Sequence, residues 1–441
     1  MRDIALFLVL AALVFIVPRR PFVGALAWVV FGIMYPHRLT WGPAYSFPFS
    51  QVIALLTLLG ILFTKEHREL KGGLAAAILI AVLVWSGIAN LFAFYPSEAM
   101  AYLERVVKVV LMTFVLLLLI HKREQVNALV WCLVVSLGFY GVKGGIFVIV
   151  TGGQFMVLGP PDSAMEGNNS LGTGTVIIIP LLYYLIQVTA NRWVRLGLIA
   201  AVPLCAVSVL GSFSRGALLA IGGMALLLWA RSRHKVTIAI AAVAFVMVAI
   251  PFMPEHWTAR MDTIKTHEQD QSAMSRLWAW ETAYNIAKDR FPVGGGFEFH
   301  SPQTSAKYSP NPDVFHVAHS IYFQVLGSLG FPGLTLFLLY WALVWREAGR
   351  LRTRSRANPA SQWAHALGSS VQASLVGYFI GGAFLDIAFW DLSYYLFTAI
   401  VGAHYALDKA QRAGGLPTAA ASAHATGVVV PVVHHPGRAL R

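Results

Sequence analysis

Thirteen runs of apolar residues organise this chain, at about 3–17, 21–35, 51–64, 73–94, 105–120, 125–149, 171–189, 194–212, 216–230, 236–253, 319–345, 366–385 and 391–407. Each run is continuous and apolar on all sides, the pattern of helices surrounded by hydrocarbon; a β-barrel would show short alternating segments of about ten residues instead. The pattern predicts an all-α polytopic membrane protein of about 12 transmembrane helices. The count is 12 or 13 because the first three runs lie near the lower length limit, and any of them can dip rather than cross. The run Ile4–Val17 resembles a signal-peptide core, but Pro18-Arg19-Arg20-Pro21 follows it without a small-residue cleavage site, so it reads as a retained short span.

One polar stretch breaks the rhythm. Residues 254–318, about 65 in all, separate two apolar runs and must lie in water on one face of the bilayer. Trp257, Trp278, Trp280, Tyr284, Phe291, Phe297 and Phe299 give it far more aromatic surface than a solvated linker carries. Leu277, Trp280, Tyr284, Ala287 and Phe291 recur at helical spacing, with Ser272 or Ser275 as a cap and Phe291-Pro292 plus Gly294-Gly295-Gly296 as a stop. This predicts an amphipathic helix lying on the membrane surface, with Arg276 in its first turn and a further helix opening at His319-Ser320.

Composition agrees: 57% of residues are hydrophobic and 12% charged, about half the charge fraction of a soluble domain. The net charge of +13 does not point to nucleic acid, because the excess sits in short connections. Lys65 to Lys71, His121 to Arg123, Asn191 to Arg195, Arg231 to Lys235 and Arg346 to Arg356 alternate with poorly basic links, which makes the basic set cytoplasmic. The links 95–104, 151–170, 211–214, 254–318 and 386–391 then face outward. Cys132 and Cys205 lie in apolar runs and supply neither a disulfide framework nor a metal site. The tail at 408–441 has no helical period and reads as a disordered cytoplasmic segment; His434-His435 within it is assigned no chemistry.

Cations on the outward side, which should be poor in them, are the informative ones. They are Arg105, Lys108, Lys143, Arg215 and Arg276. An unpaired charge at membrane depth costs at least about 2.5 kcal/mol, so the set suggests an anion site facing the protein interior or a watery cavity. The bland alternative is pairing, as with Glu104 beside Arg105, or snorkelling to the headgroups. His316 and His319, spaced i and i+3, would share a helical face. They lack a third metal ligand, so no metal is expected. A lone His at a helix start is more often a capping or core residue; the outward cation cluster shifts the reading of His319 toward a general base. Asp386 and Asp391 also lack a third partner for a hard cation. The three glycines at 294–296 lack the Lys-Ser/Thr of a phosphate-binding loop and read as a turn. No nucleotide-binding domain is evident and no cofactor is expected, so the energy for a reaction must arrive with the substrate.

These residues resemble the bacterial O-antigen ligase and O-antigen polymerase superfamily. The resemblance rests on Arg215-Gly216-Ala217-Leu218-Leu219 as an Arg-x-x-x-Leu pattern at the outer edge of a span, on His319-Ser320 followed by Gly330, and on Ser275-Arg276-Leu277 through Phe297. It covers about residues 170–400. The strings Pro36–Gln51 and Gly138–Gly145 look like the ligase branch found beside exosortase systems. The resemblance implies a scaffold of the lipid-linked glycosyltransferase type (GT-C-like), with N-terminal helices at 1–150, a catalytic membrane domain at 151–407 and a periplasmic loop at 254–318. It further implies a multi-pass protein of the bacterial inner membrane whose active site faces the periplasm. Metal-independent, inverting transfer from an undecaprenyl-pyrophosphate-linked glycan is implied, with a lipid A-core hydroxyl as acceptor in the ligase proper. A dianionic leaving group is best held by planar guanidinium groups, which suits Arg215 and Arg276, with Arg105, Lys108, Lys143 and His316 as further substrate-binding candidates. An ordinary imidazole, with a pKa of about 6.5, is largely neutral at periplasmic pH, which suits His319.

A polymerase or a protein O-glycosyltransferase of the same superfamily would share every one of these motifs and differ only in acceptor. A transporter or flippase of an anionic lipid would also want an outward cationic cavity. Against the latter, the chain shows no internal repeat, and formation of a new glycoside without nucleotide separates the two.

Overall fold

The computed structural model describes all residues except 65–68, 256, 258–270, 314 and 413–441, and only the backbone of 248–252 and 271–273. Part of the first basic connection, part of the long polar stretch, the side chain of Ser272, and the tail with His434-His435 therefore lie outside the described residues.

Helices occupy all thirteen apolar runs: α1 (Arg2–Ile16), α2 (Pro21–Met34), α3 (Phe49–Phe63), α4 (Gly73–Asn90), α5 (Pro96–Leu119), α6 (Arg123–Thr151), α7 (Asn168–Val188), α8 (Arg192–Gly211), α9 (Arg215–Arg231), α10 (Lys235–Phe252), then α13 (Ile321–Arg354), α14 (Gln362–Gly382) and α15 (Asp391–Arg412). Between them the polar stretch contributes α11 (Gln271–Asp289) and the single short turn of helix α12 (Pro302–Tyr308). There is no strand among the described residues. By length and composition, α4, α6, α7, α8 and α13 are long and apolar enough to cross a membrane.

The connections sort to the two ends of the bundle. At one end Arg354 pairs with Asp408 at 2.5 Å, Lys71 lies over the Tyr405 ring, Arg123 over Trp363, and Arg231 donates to Gln372. At the other, Val157 N donates to Gly211 O, Phe94 N to Gly295 O, and Arg38 pairs with Asp162 at 3.3 Å. The basic connections expected on one face thus meet at one end, and the poorly basic ones at the other.

Two packing devices set the frame. Gly141, Gly144 and Gly145 turn one face of α6 onto α8, and a Cβ on Gly145 would stand 2.1 Å from Leu204 O. Such small-residue faces let backbones approach where lipid provides no hydrophobic drive. The second device is a break in α13 at Gly330 (φ +64°), two residues before Pro332. Proline has no N–H for the carbonyl four residues earlier, which frees Ser328 O. Gly296 N donates to it at 2.9 Å, Gly295 N to Gly327 O at 2.8 Å, and Trp85 Nε1 to Leu329 O at 2.8 Å. The three glycines are therefore a turn, and they also staple the outer segment onto a broken membrane helix.

The long outer helix forms as expected and packs on α13. Ala279, Ala283, Ile286 and Ala287 of α11 are buried, while Leu277 and Tyr284 are nearly half exposed and Phe291 is 69% exposed. The small side chains allow close packing on α13, where Trp280 stacks on Phe323 with ring centroids 5.0 Å apart. Of the residues that mark the sequence pattern, Trp280 and Tyr284 place their rings on α13, Tyr284 edge-on to Phe331 with centroids 6.2 Å apart, and Ala287 is buried, while Leu277 and Phe291 stay exposed.

Candidate functional site

His319 does not lie in a helix with His316. The segment 315–319 has no regular secondary structure, and α13 starts only at Ile321, with Ser320 as its N-cap. A segment without regular structure must find its hydrogen bonds elsewhere, and here three groups supply them. Ala318 N donates to His300 Nε2 at 3.0 Å, Ala318 O accepts from Trp280 Nε1 at 2.8 Å, and His319 N donates to Asp386 Oδ2 at 3.1 Å. The elements that bring these groups are the loop after the glycine turn, α11, and the link between α14 and α15.

Asp386 acts twice on His319. The same Oδ2 lies 3.0 Å from His319 Nδ1, while Oδ1 is buried and has no hydrogen-bond partner among the described residues. A carboxylate on Nδ1 favours the tautomer that carries its proton there and leaves the Nε2 lone pair for a substrate. The imidazole is about half exposed, so Nε2 is open to solvent or a ligand. His319 also holds a left-handed backbone at φ +43°, as do Glu298 (φ +53°) and Phe213 (φ +56°). Non-glycine residues avoid this region at a cost of about 1–2 kcal/mol, and such strain concentrates where surrounding structure fixes a side chain for function.

Two more titratable groups border His319. Burial pushes the His300 imidazole down to about 4, so it is neutral, and with Nε2 accepting from Ala318 its proton sits on Nδ1. Burial, opposed by Arg105 and aided by Asp386, raises the Glu298 carboxyl above the usual carboxylate range. Burial first, and the neighbouring His319 second, lower the His316 imidazole below its ordinary value.

The cations divide. Arg215 is the first residue of α9, directly after the cap Ser214, whose Oγ accepts from Ala217 N at 3.1 Å. The turn before it is clamped by Asn168 Nδ2 on Ser212 O at 2.7 Å and Trp257 Nε1 on Leu210 O at 3.1 Å. Gly216 packs on Phe384, two residues before Asp386. Arg276 lies one turn before Trp280, whose indole holds Ala318. Both arginines therefore sit on elements that touch the His319 framework.

Arg105, with its guanidinium over the Tyr102 ring, lines a cavity together with Glu298 and His300. Lys108 pairs with Glu104 at 2.6 Å along α5, the pairing weighed for that region from sequence. Lys143 borders a different, apolar cavity of about 520 Å³ between α6, α7 and α8, lined by Trp131, Leu182 and Leu198. The structure thus sets His319 on Asp386, places Arg105 with Glu298 and His300 in the neighbouring cavity, puts Arg215 and Arg276 on adjoining elements, and leaves Lys108 and Lys143 to other surroundings.

Among the described residues no three His, Cys, Asp or Glu side chains converge as a metal site. The sequence marks Asp386 only as half of a cation pair and does not mark Glu298 or His300. An acidic residue in a six-residue outward link was the signal for Asp386; nothing local marks the other two.

Residues 200–338 match the family model described as O-antigen ligase. The chain carries an O-antigen ligase domain. That match contains Arg215, Arg276, His316 and His319, whereas Asp386 lies beyond it. Residues 1–190 match a model described as a family of unknown function (DUF5935). No curated protein matches the chain. The ligase domain and the apolar helices together fit a multi-pass membrane protein acting on lipid-linked substrates.

Proposed function

We propose that this protein is an O-antigen ligase, which transfers a glycan from undecaprenyl pyrophosphate to a lipid A-core hydroxyl on the periplasmic face of the inner membrane. The observation that carries this reading is the pairing of Asp386 with Nδ1 of a half-exposed His319, inside a chain with an O-antigen ligase domain. In the proposed step the acceptor hydroxyl gives its proton to His319 Nε2 as its oxygen bonds to the anomeric carbon. The bond from that carbon to the phosphate oxygen breaks, and undecaprenyl pyrophosphate leaves with the electron pair. Arg215 and Arg276 hold the leaving group, and Asp386 stabilises the imidazolium. The step balances without nucleotide or redox partner.

The test is purified full-length protein in liposomes, supplied with lipid-linked glycan and lipid A-core but no nucleotide. A new glycoside together with free undecaprenyl pyrophosphate is the expected product. Lengthening of the donor glycan instead would make the protein a polymerase, and movement of intact donor across the bilayer would make it a transporter.

Asp386→Asn provides a finer check. The substitution keeps the shape but removes the charge that stabilises the imidazolium, so kcat should fall on the order of 100-fold. Acceptor KM should stay within a few-fold. A variant with full kcat would leave Asp386 a purely structural link.

The N-terminal helices extend the topology. Tyr45 donates to Asp162 Oδ2 at 2.5 Å, and Ala44 N donates to Asp3 Oδ1 at 3.1 Å, so residues 36–48 and the start of α1 join the end of the bundle that holds His319. This supports thirteen crossings with residues 36–48 outside. Trp41 is 87% exposed there. Trp41→Cys in intact spheroplasts should react with a membrane-impermeant maleimide, and labelling only after lysis would reverse the assignment.

A further inference from the structure

Beside His319 lies a cavity of about 480 Å³, within the range of small-ligand sites, which the catalytic scheme above leaves unused. We propose that this cavity, lined by Tyr95, Glu98, Arg105, Glu298, His300 and Ser301, is the acceptor subsite, and that it holds the sugar ring whose hydroxyl His319 deprotonates. The inference rests on the glycosyl-transfer reading and names where its acceptor binds.

Its position is the first argument. His300 forms one wall and accepts from Ala318 N, the residue next to the base. One wall of the cavity is thus hydrogen-bonded to the residue before the base, and a ring seated there can present a hydroxyl to His319. The walls are also built to stay in place. Tyr95 and Ser301 hydrogen-bond to one another across the cavity, and Ser301 Oγ accepts from Thr304 N at 3.0 Å. Behind it, Tyr102 OH accepts from Gln324 Nε2 at 2.9 Å, and Gln324 Oε1 accepts from Ala388 N at 3.2 Å. This ties α5 and α13 to the link that carries Asp386.

Chemistry is the second argument. A sugar ring offers hydroxyls that both donate and accept, with small apolar faces between them. The cavity answers with acceptors on Glu98 and Glu298, donors on Arg105 and on His300 Nδ1, hydroxyls on Tyr95 and Ser301, and the methyl of Ala101. Its one guanidinium is outnumbered by two carboxylates, which disfavours a pyrophosphate there. The third argument is stereochemical. Inverting displacement brings the acceptor to the face of the anomeric carbon opposite the leaving group. Arg215 and Arg276, proposed for the leaving group, belong to α9 and α11 and do not line this cavity. The acceptor and donor subsites are thus built from different elements.

One consequence concerns residues 1–190, which match a family of unknown function. Tyr95, Glu98 and Arg105 come from that region, while Glu298, His300 and Ser301 come from the ligase domain. With Ala101 and Tyr102, the N-terminal region then supplies five of the eight residues that line the acceptor subsite.

The experiment uses full-length protein in liposomes, with Glu98→Gln, Arg105→Gln, Arg105→Lys and Ser301→Ala compared with wild type. Acceptor is varied at saturating donor and donor at saturating acceptor, and binding of an undecaprenyl-pyrophosphate analogue is measured directly. Loss of a hydrogen bond to a charged group should raise acceptor KM about 10-fold to 100-fold in Glu98→Gln and Arg105→Gln, with Arg105→Lys between them and wild type. Donor KM and analogue binding should stay within about twofold in all variants, and unchanged thermal midpoints would exclude misfolding. A rise in donor KM with acceptor KM constant would assign the cavity to the donor glycan and overturn the proposal. No change in either would do the same. A wild type that transfers nothing would instead remove the glycosyl-transfer reading, and the subsite with it.

Discussion

Replacing His319 with alanine should slow glycan transfer about 100-fold to 10,000-fold, the usual range for loss of a general base, while the protein still folds and inserts. Folding should survive because the side chain is about half exposed and the local backbone has anchors of its own. His319 N still donates to Asp386, and Ala318 still bonds to His300 and Trp280. The backbone at φ +43° complicates the alanine variant, since a left-handed conformation is harder for alanine than for asparagine. His319→Asn is therefore the sharper variant. Its side-chain amide can still donate to Asp386 and tolerates the backbone, but it cannot take a proton from a hydroxyl. Both variants should show the same loss of kcat with unchanged binding of the lipid donor. Near wild-type turnover by well-expressed His319→Asn would remove this residue from the mechanism and make His316, its close neighbour, the next base to test.

Much of the fold is legible in the chain because an apolar run in a membrane has few alternatives to a helix. All thirteen runs are helical, and α5 differs only by starting at Pro96, ahead of its apolar part. What is not legible is decided by distant partners. The spacing of His316 and His319 suits a helical face, but the bonds offered by His300, Trp280 and Asp386 hold 318–319 out of a helix. In α11 the pattern marks the helix and includes Trp280 and Tyr284, whose rings meet Phe323 and Phe331, but not the buried Ala279, Ala283 and Ile286, because only the docked α13 decides where small side chains are needed. The glycine turn at 294–296 is visible as a turn; its docking on carbonyls freed by Pro332 is not, since Gly296 and Ser328 are far apart in sequence. The candidate site follows the same division. His319, Arg215 and Arg276 stand out as outward-facing polar groups next to spans. Asp386 gains its meaning only when the fold closes a separation of 67 residues and sets it against His319.

Arg215→Ala should be nearly inactive and Arg215→Lys clearly impaired, with the same order at Arg276. The position of Arg215 supports this. It is the first residue of α9, where the helix dipole is positive and a cation is disfavoured by about 0.3–1 kcal/mol. A helix N-terminus and a guanidinium are both anion-binding groups, so a leaving phosphate at the start of α9 would meet both. The turn that aims it is fixed by Asn168, Trp257 and the buried Phe213, so the guanidinium is presented by a rigid frame. A planar fork can engage two phosphate oxygens at once, whereas lysine keeps the charge and loses the fork. At about 1.5–3 kcal/mol for each hydrogen bond to a charged group, losing one such bond corresponds to roughly 10-fold to 150-fold and losing both to considerably more. A snorkelling or structural arginine would tolerate lysine and respond mainly through expression level. The deciding measurement pairs turnover with binding of an undecaprenyl-pyrophosphate analogue to folded Arg215→Ala and Arg276→Ala proteins. Weakened binding in step with lost turnover supports the leaving-group site. Unchanged binding and turnover in both would sink it, and the His319 and Asp386 pair would then need another electrophile.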